Sequence, residues 1–206
     1  MQKHNGVVWA NLEADDVISI LATDKEMDEE TIIVSIDKDF KGVPGIYYDY
    51  NRGEYHQPTE QEADNFHLIQ TITGDVTDGF KGVPKMGPVT AKKVLDKDGY
   101  TWETVVKCYE KAGLTEQDAL MNAWMARLLR IDNYCFRTNT IKRLWTPKNY
   151  QTKDILKISQ QGLNVTGTLD GDDPALFLQS PYAVSPNDLK MAESFTETTT
   201  GSKASH

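Results

Sequence analysis

Residues 31–36, Thr-Ile-Ile-Val-Ser-Ile, constrain the fold of this chain more than any other stretch. The run is β-branched and almost continuously apolar, the pattern of a central strand buried on both faces of a parallel sheet. The chain is therefore expected to be α/β. The strand runs directly into acid, Asp37-Lys-Asp39. An earlier apolar run, residues 6–12, also reads as a buried strand and ends in Glu13-Ala-Asp15-Asp16. In parallel α/β sheets the strand ends gather along one edge, where ligand sites lie.

A third acidic pair, Asp75 and Asp78, completes a set of seven carboxylates with Glu13, Asp15, Asp16, Asp37 and Asp39. Asp37 and Asp39 project to one side of an extended segment; Asp75 and Asp78 share a face if their segment makes a helical turn. Two unit charges ~4 Å apart repel by about 4 kcal/mol at an effective dielectric of 20, so convergence of these acids calls for cations. All-oxygen donors select hard ions, Mg²⁺ or Mn²⁺. Acids in turns are more often solvated surface, and Asp170-Gly-Asp172-Asp173, outside any strand-to-helix context, reads that way. An EF-hand starting at Asp37 fails because its twelfth position is Tyr48, where a bidentate Glu is required.

Residues 46–50 read as another strand, and 51–54 as the turn that ends it. A helix begins near Thr59, where Glu62 gives capping-box spacing. A glycine-punctuated turn, 74–87, leads to a further helix with Pro88 at its first position. Residues 101–112 and 115–131 read as two more helices, the second closing on Arg127 and Arg130 to suit the helix dipole. The folded part is expected to end near Pro147; residues 151–206 read as a disordered tail. The expected divisions are 1–57, the α/β part; 58–150, a helical region; and 151–206.

The turn from Gly79 to Gly87 exposes backbone N–H groups toward an anion, and Lys81, Lys85, Lys92 and Lys93 surround it. A nucleic-acid phosphate suits such a place, with Gly82, Val83 and Gly87 contributing backbone. Charge alone argues the other way, since 31 Asp+Glu against 22 Lys+Arg gives a formal −9. Cys108 and Cys135 have neither CxxC spacing nor a neighbouring histidine pair, which leaves buried free thiols as the expectation. No stretch approaches the ~20 apolar residues of a membrane span, and a cytoplasmic location is expected.

Glu13-Ala-Asp-Asp16, Ser35-Ile-Asp-Lys-Asp-Phe40 and Gly74-Asp-Val-Thr-Asp-Gly-Phe-Lys-Gly-Val-Pro-Lys-Met-Gly87 resemble, in order and spacing, three motifs of the flap-endonuclease and phage 5′-nuclease superfamily. The later residues 113–130 and Leu144-Trp-Thr-Pro147 are similar to the ends of short podophage exonucleases. The resemblance implies a two-metal 5′-to-3′ exonuclease or flap endonuclease acting on DNA with a 5′ end or flap. It implies that Glu13, Asp15 and Asp16, helped by Asp37 and Asp39, hold one Mg²⁺ or Mn²⁺, and that Asp75 and Asp78 form the second site. Residues 79–87 would be a helix-three-turn-helix that grips duplex DNA and holds a monovalent cation such as K⁺.

The family opens with an Asp-bearing strand, a second such strand and a basic arch, none of which precedes Glu13 here. The expectation is that the chain is a fragment, that a separate N-terminal half completes it, or that activity has been lost. The alternatives are a non-catalytic duplex-binding module and a PIN-type ribonuclease, and the glycine turn argues against the latter.

Overall fold

The computed structural model describes residues 9, 12–26, 30–148 and 150 of the 206. Strand β1 (Ile32–Ser35) pairs in parallel with β2 (Ile46–Asp49), setting Ile33 opposite Tyr47 and Val34 opposite Tyr48. Asp49 then closes a tight turn: its Oδ1 accepts the amides of Asn51 and Arg52, and its carbonyl accepts that of Gly53, which sits at φ 69°. The chain returns as the antiparallel β3 (Glu54–His56), so Glu54, expected in the turn, already belongs to a strand. The sheet order is β1-β2-β3. Among the described residues no strand pairs with the outer side of β1, which places the segment expected at a sheet centre on an edge.

Period-two alternation sends Ile33 and Tyr47 to the same face, where they bury with Phe40 and Val43 against Ala22 and Leu128. Helix α1 (Ala14–Ala22) covers that side, burying Val17 and Ile20. Of the expected strand at 6–12, only Trp9 and Leu12 are described; neither is in a strand, and both pack against Ile20, Leu129 and Tyr134.

Helix α2 (Glu60–Thr73) starts at the expected capping box, with Thr59 Oγ1 accepting the Glu62 amide and the Glu62 carboxylate accepting the Thr59 amide. It is followed by a β4–β5 hairpin (Gly74–Asp75, Phe80–Lys81) and then by α3 (Pro88–Asp98), α4 (Trp102–Lys111) and α5 (Glu116–Met125). Leu68, Ile72, Leu95, Val105, Tyr109 and Leu120 interlock between these helices. Each such side chain contributes about 1.5–3 kcal/mol by leaving water. The Tyr109 hydroxyl, buried with them, donates to the Thr71 carbonyl at 2.5 Å.

Helix α5 stops at Met125, six residues before the expected end. Beyond it, tertiary bonds replace helical ones. The Leu129 amide donates to Asp16 Oδ1 at 2.8 Å, and Arg130 Nη2 donates to the Gly42 carbonyl at 2.8 Å. Arg127 and Arg130 do not serve a helix terminus; their Nη1 atoms meet the Asp64 carboxylate at 3.0 and 3.1 Å. A small β6–β7 hairpin follows (Tyr134–Cys135, Thr140–Ile141), and packing continues past Pro147 to Tyr150, whose hydroxyl donates to Glu116 at 2.7 Å. Cys108 is buried, but Cys135 is only half-buried. The segment 151–206 lies outside the described residues.

Candidate metal centre and nucleic-acid interface

Three segments bring carboxylates toward one another. The first turn of α1 carries Asp15. The bend after β1 carries Asp37, whose Oδ1 caps the 3-10 turn Lys38–Gly42 by accepting the Asp39 amide at 2.9 Å. The β4–β5 hairpin carries Asp75 in its first strand and Asp78 in its turn. That segment is a hairpin, not the helical turn considered from spacing, but the two acids still face the others.

The electrostatics report this convergence. Burial lifts the Asp15 carboxyl above its usual range, and the charges of Asp37, Glu13 and Asp78 lift it further. Asp39 is pushed up to about 6 by burial and then by Asp37, with Asp78 adding to it, although Lys38 and the Gln70 amide, donating at 2.5 Å, pull the other way. The Lys38 ammonium stands within the group. It bonds the Asp75 carboxylate and lies 3.9 Å from Asp39. That bond raises the lysine, and the same bond, with the Thr77 amide, holds Asp75 below the usual range.

Asp16 differs. It is buried, one oxygen holds the Leu129 amide, and burial pushes it up to about 6. Its electrostatic partners are Glu13 and Asp15, on its own helix. Glu13 is exposed at the N-cap of α1 and makes no side-chain capping bond.

The donor set is all oxygen and mutually repelling, which fits hard divalent cations. The arrangement is looser than a coordination shell: among the described residues no three carboxylates gather closely enough to hold one ion. Lys38 and Gln70 were not foreseen as site residues. Lys38 stands between two of the foreseen acids, and Gln70, polar on the buried side of α2, was the available signal for the other.

At the glycine turn, Lys81, Lys85 and Lys93 are exposed, and Lys85 adopts φ 63°. Lys92 is exposed but bonded to Asp96 at 2.8 Å. Gly87 caps α3 in open space. Val83 faces inward, its side chain in the helical core and its amide donating to the Ile72 carbonyl at 2.7 Å. Gly82 has a packing reason to be glycine, since a Cβ there would lie 2.2 Å from the Ile72 oxygen. These two therefore turn toward α2, and the lysines turn toward solvent.

No protein-family profile matches the chain. It is 31% identical over 171 residues to an exodeoxyribonuclease of Enterobacteria phage T3 and 32% identical over 169 residues to an exonuclease of Escherichia phage T7. These matches cover 67% and 66% of this chain and 56% of each relative. A third, 36% identical over 97 residues, is the flap endonuclease Xni of Colwellia psychrerythraea, covering 42% of this chain and 33% of that protein. The chain is thus similar to phage exonucleases over about two-thirds of its own length and to a flap endonuclease over a shorter stretch. It spans about half the length of the phage exonucleases it matches. Its described residues carry these acids on a mixed α/β scaffold of five α-helices and small sheets. No helix among its described residues is long and apolar enough to cross a membrane.

Proposed function

We propose that this chain supplies the metal-binding and duplex-gripping parts of a 5′-to-3′ exonuclease of flap-endonuclease type, hydrolysing DNA phosphodiesters with two Mg²⁺ or Mn²⁺ ions. The observation that carries the reading is the convergence of Asp15, Asp37, Asp39 and Asp78, drawn from three segments closely enough for their charges to act on one another. Asp15, Asp37 and Asp39, with Glu13 beside them, would have to draw closer together to hold one ion, and Asp75 and Asp78 would hold the other. When bound, such ions activate a water and offset charge on the attacked phosphate.

The protein's own residues set the stage. Asp16 ties α1 to Leu129, fixing the helix that presents Asp15. Gln70 holds Asp39 from α2. Lys38 neutralises Asp75 and would have to release it for that carboxylate to hold a divalent cation. Lys81, on the same hairpin as Asp75 and Asp78, and Lys85 and Lys93 beyond it would hold duplex phosphates, and the same turn would hold K⁺. A further polypeptide bearing the family's first strands and arch would complete the site.

The second reading, a duplex-binding module without catalysis, is favoured by the looseness of the carboxylates and the Lys38–Asp75 bond. Release of nucleotides from 5′-labelled duplex and flapped DNA separates the two. With that polypeptide supplied, the nuclease reading expects Mg²⁺-dependent release, reduced at least 100-fold by Asp37→Asn, on the scale expected when reacting groups lose their positioning; the chain alone should release little or nothing. Binding that persists without any metal-dependent release would favour the module. Independently of turnover, millimolar Mg²⁺ should raise the melting temperature, and Asp15→Asn with Asp75→Asn should abolish the rise.

A further inference from the structure

Charge is unevenly spread along this acidic chain. Residues 127–148 carry Arg127, Arg130, Arg137, Lys142, Arg143 and Lys148 against the single acid Asp132, a local +5 in a chain of formal −9. The fold gathers these cations. All but Arg137 line one groove of about 980 Å³, between the end of α1 and the segment that follows α5. On the opposite wall Glu60 is taken by Lys25 at 2.8 Å, which leaves Asp24 and Glu26 as that wall's uncompensated charges.

Within the groove two guanidiniums share one acceptor atom. Arg127 Nη1 and Arg130 Nη1 both rest on Asp64 Oδ1, and both side chains are only 9% exposed. The other described contact of this pair, from Arg130 Nη2 to the Gly42 carbonyl, brings no negative charge. The Nε of each arginine is buried without a hydrogen-bond partner. Buried cations are ordinarily matched by anions, and here two face one carboxylate. Burial and then the Arg127 charge depress the Arg130 guanidinium to about 10, as expected of a cation short of a counter-charge. Arg143 is paired with Asp132 at 3.1 Å, but Lys142 and Lys148 are exposed and have no ion pair among the described residues.

The groove also has an aromatic wall of Tyr134, Phe136 and Trp145, with Phe136 42% exposed in the turn of the β6–β7 hairpin. Cations interleaved with aromatic faces suit single-stranded nucleic acid, whose phosphates meet the charge while its bases stack on the rings. An acidic peptide would use the charge and leave the open ring without a flat partner. The site is separate from the acidic centre. Asp15 begins α1 and Ala22, in the groove, ends it, on the order of 10 Å away at 1.5 Å per residue.

We infer that this groove binds a single nucleotide strand: one phosphate supplies the anion that Arg127 and Arg130 lack, Lys142 and Lys148 hold neighbouring phosphates, and Phe136 receives a base. The inference does not depend on the nuclease reading, because a strand held here is not the one presented to the acids.

The test is fluorescence anisotropy of 5′-labelled octathymidylate with the full chain in EDTA, so that neither bound metal nor cleavage contributes. Saturable binding is expected. Lys142→Ala with Lys148→Ala should weaken it at least tenfold and lower the logarithmic salt slope by about 0.7 for each lysine removed. Phe136→Ser should weaken it several-fold at unchanged salt slope, which a purely electrostatic surface would not show. Arg127→Gln, where circular dichroism shows it folded, should weaken it at least tenfold; where it does not fold, the exposed lysine pair decides. Lys107→Ala with Lys111→Ala, exposed on α4, should change nothing. Four outcomes would overturn the inference: no binding, binding lost with Lys81→Ala and Lys85→Ala instead, thymidine monophosphate binding as tightly as the octamer, or an octa-aspartate peptide doing so.

Discussion

Around α2 the molecule has two sides of different finish. Toward α3, α4 and α5, Ile72, Leu95, Val105, Tyr109 and Leu120 are almost wholly buried, and Tyr109 finds a carbonyl for its hydroxyl. Toward the sheet, Ile33, Phe40 and Tyr47 are equally buried on one face, but Ile32, Val34 and Tyr55 lie open on the other. Helices joined by short turns find their neighbours within the same stretch of chain, whereas a parallel sheet needs strands from distant segments. Among the described residues, the helical side buries its apolar side chains against one another, whereas the sheet side leaves one face open.

The largest expected effect breaks that contrast at its strong end. Ile72→Ala or Leu95→Ala should cost about 2–5 kcal/mol in urea unfolding, as cavity-forming core substitutions do. Val34→Ala, of similar chemistry, should cost under about 0.5 kcal/mol in the chain alone. Equal losses would mean that the open face is covered in solution.

Next comes the joint between the two sides. Asp64 on α2 receives both Arg127 and Arg130, whose side chains are only 9% exposed. Burial alone would raise its carboxyl, but the Arg127 hydrogen bond and the Arg130 charge hold it below the usual range. Asp64→Ala leaves two buried guanidiniums without their anion and should cost about 3 kcal/mol. Retained stability in thermal or urea melts would show that the groove solvates them.

Acid should act on the two sides with opposite sign. Burial, reinforced by the Arg127 charge, depresses His67 to about 3 from 6.5. Its folded value is the lower one, so its contribution is full above pH 6.5 and is lost as pH falls. The loss is about 1.4 kcal/mol per unit, or about 2 kcal/mol by pH 5. Asp16 and Asp39, raised to about 6, contribute most below 3.8, and that contribution is lost as pH rises through 6. Stability measured from pH 7 to pH 5 in wild type and His67→Gln should differ in slope by the histidine's share. Parallel curves would assign the acid response elsewhere.

The smallest effect concerns the basic turn. Removing Lys81, Lys85 or Lys93 should lower duplex affinity for all sequences alike and reduce the salt slope by about 0.9 each. Lys92, already neutralised by Asp96, should matter less. Equal effects at all four would mean that DNA strips Lys92 from its partner.

What was legible follows the same division. The capping box at Thr59 and Glu62 and the helix-starting Pro88 are local signals, and their helices begin where those signals stand. The end of α5 was not legible, because Leu129 and Arg130 leave the helix for Asp16 and Gly42, partners 113 and 88 residues away. In the site, the tight acidic spacings marked Asp15, Asp37, Asp39, Asp75 and Asp78. They could not reveal that Asp16 is tied to a backbone amide, or that Lys38 sits among the acids. β-branched content marked 31–36 as a buried strand, but nothing within those residues says where in the sheet it stands.

Gly74 and Gly82 cross so closely that a Cβ on the first would stand 2.0 Å from the Gly82 nitrogen, and one on the second 2.4 Å from the Gly74 nitrogen. Each occupies the other's side-chain volume, so neither position can be relieved by trimming its partner, which is already glycine. In a saturation library both columns should be blank. An alanine that did fold would have to lever the β4–β5 hairpin off the end of α2, carrying Asp75 and Asp78 away from Asp37. The glycine pair is in effect a gauge block that sets how far the hairpin bearing Asp75 and Asp78 stands from the end of α2.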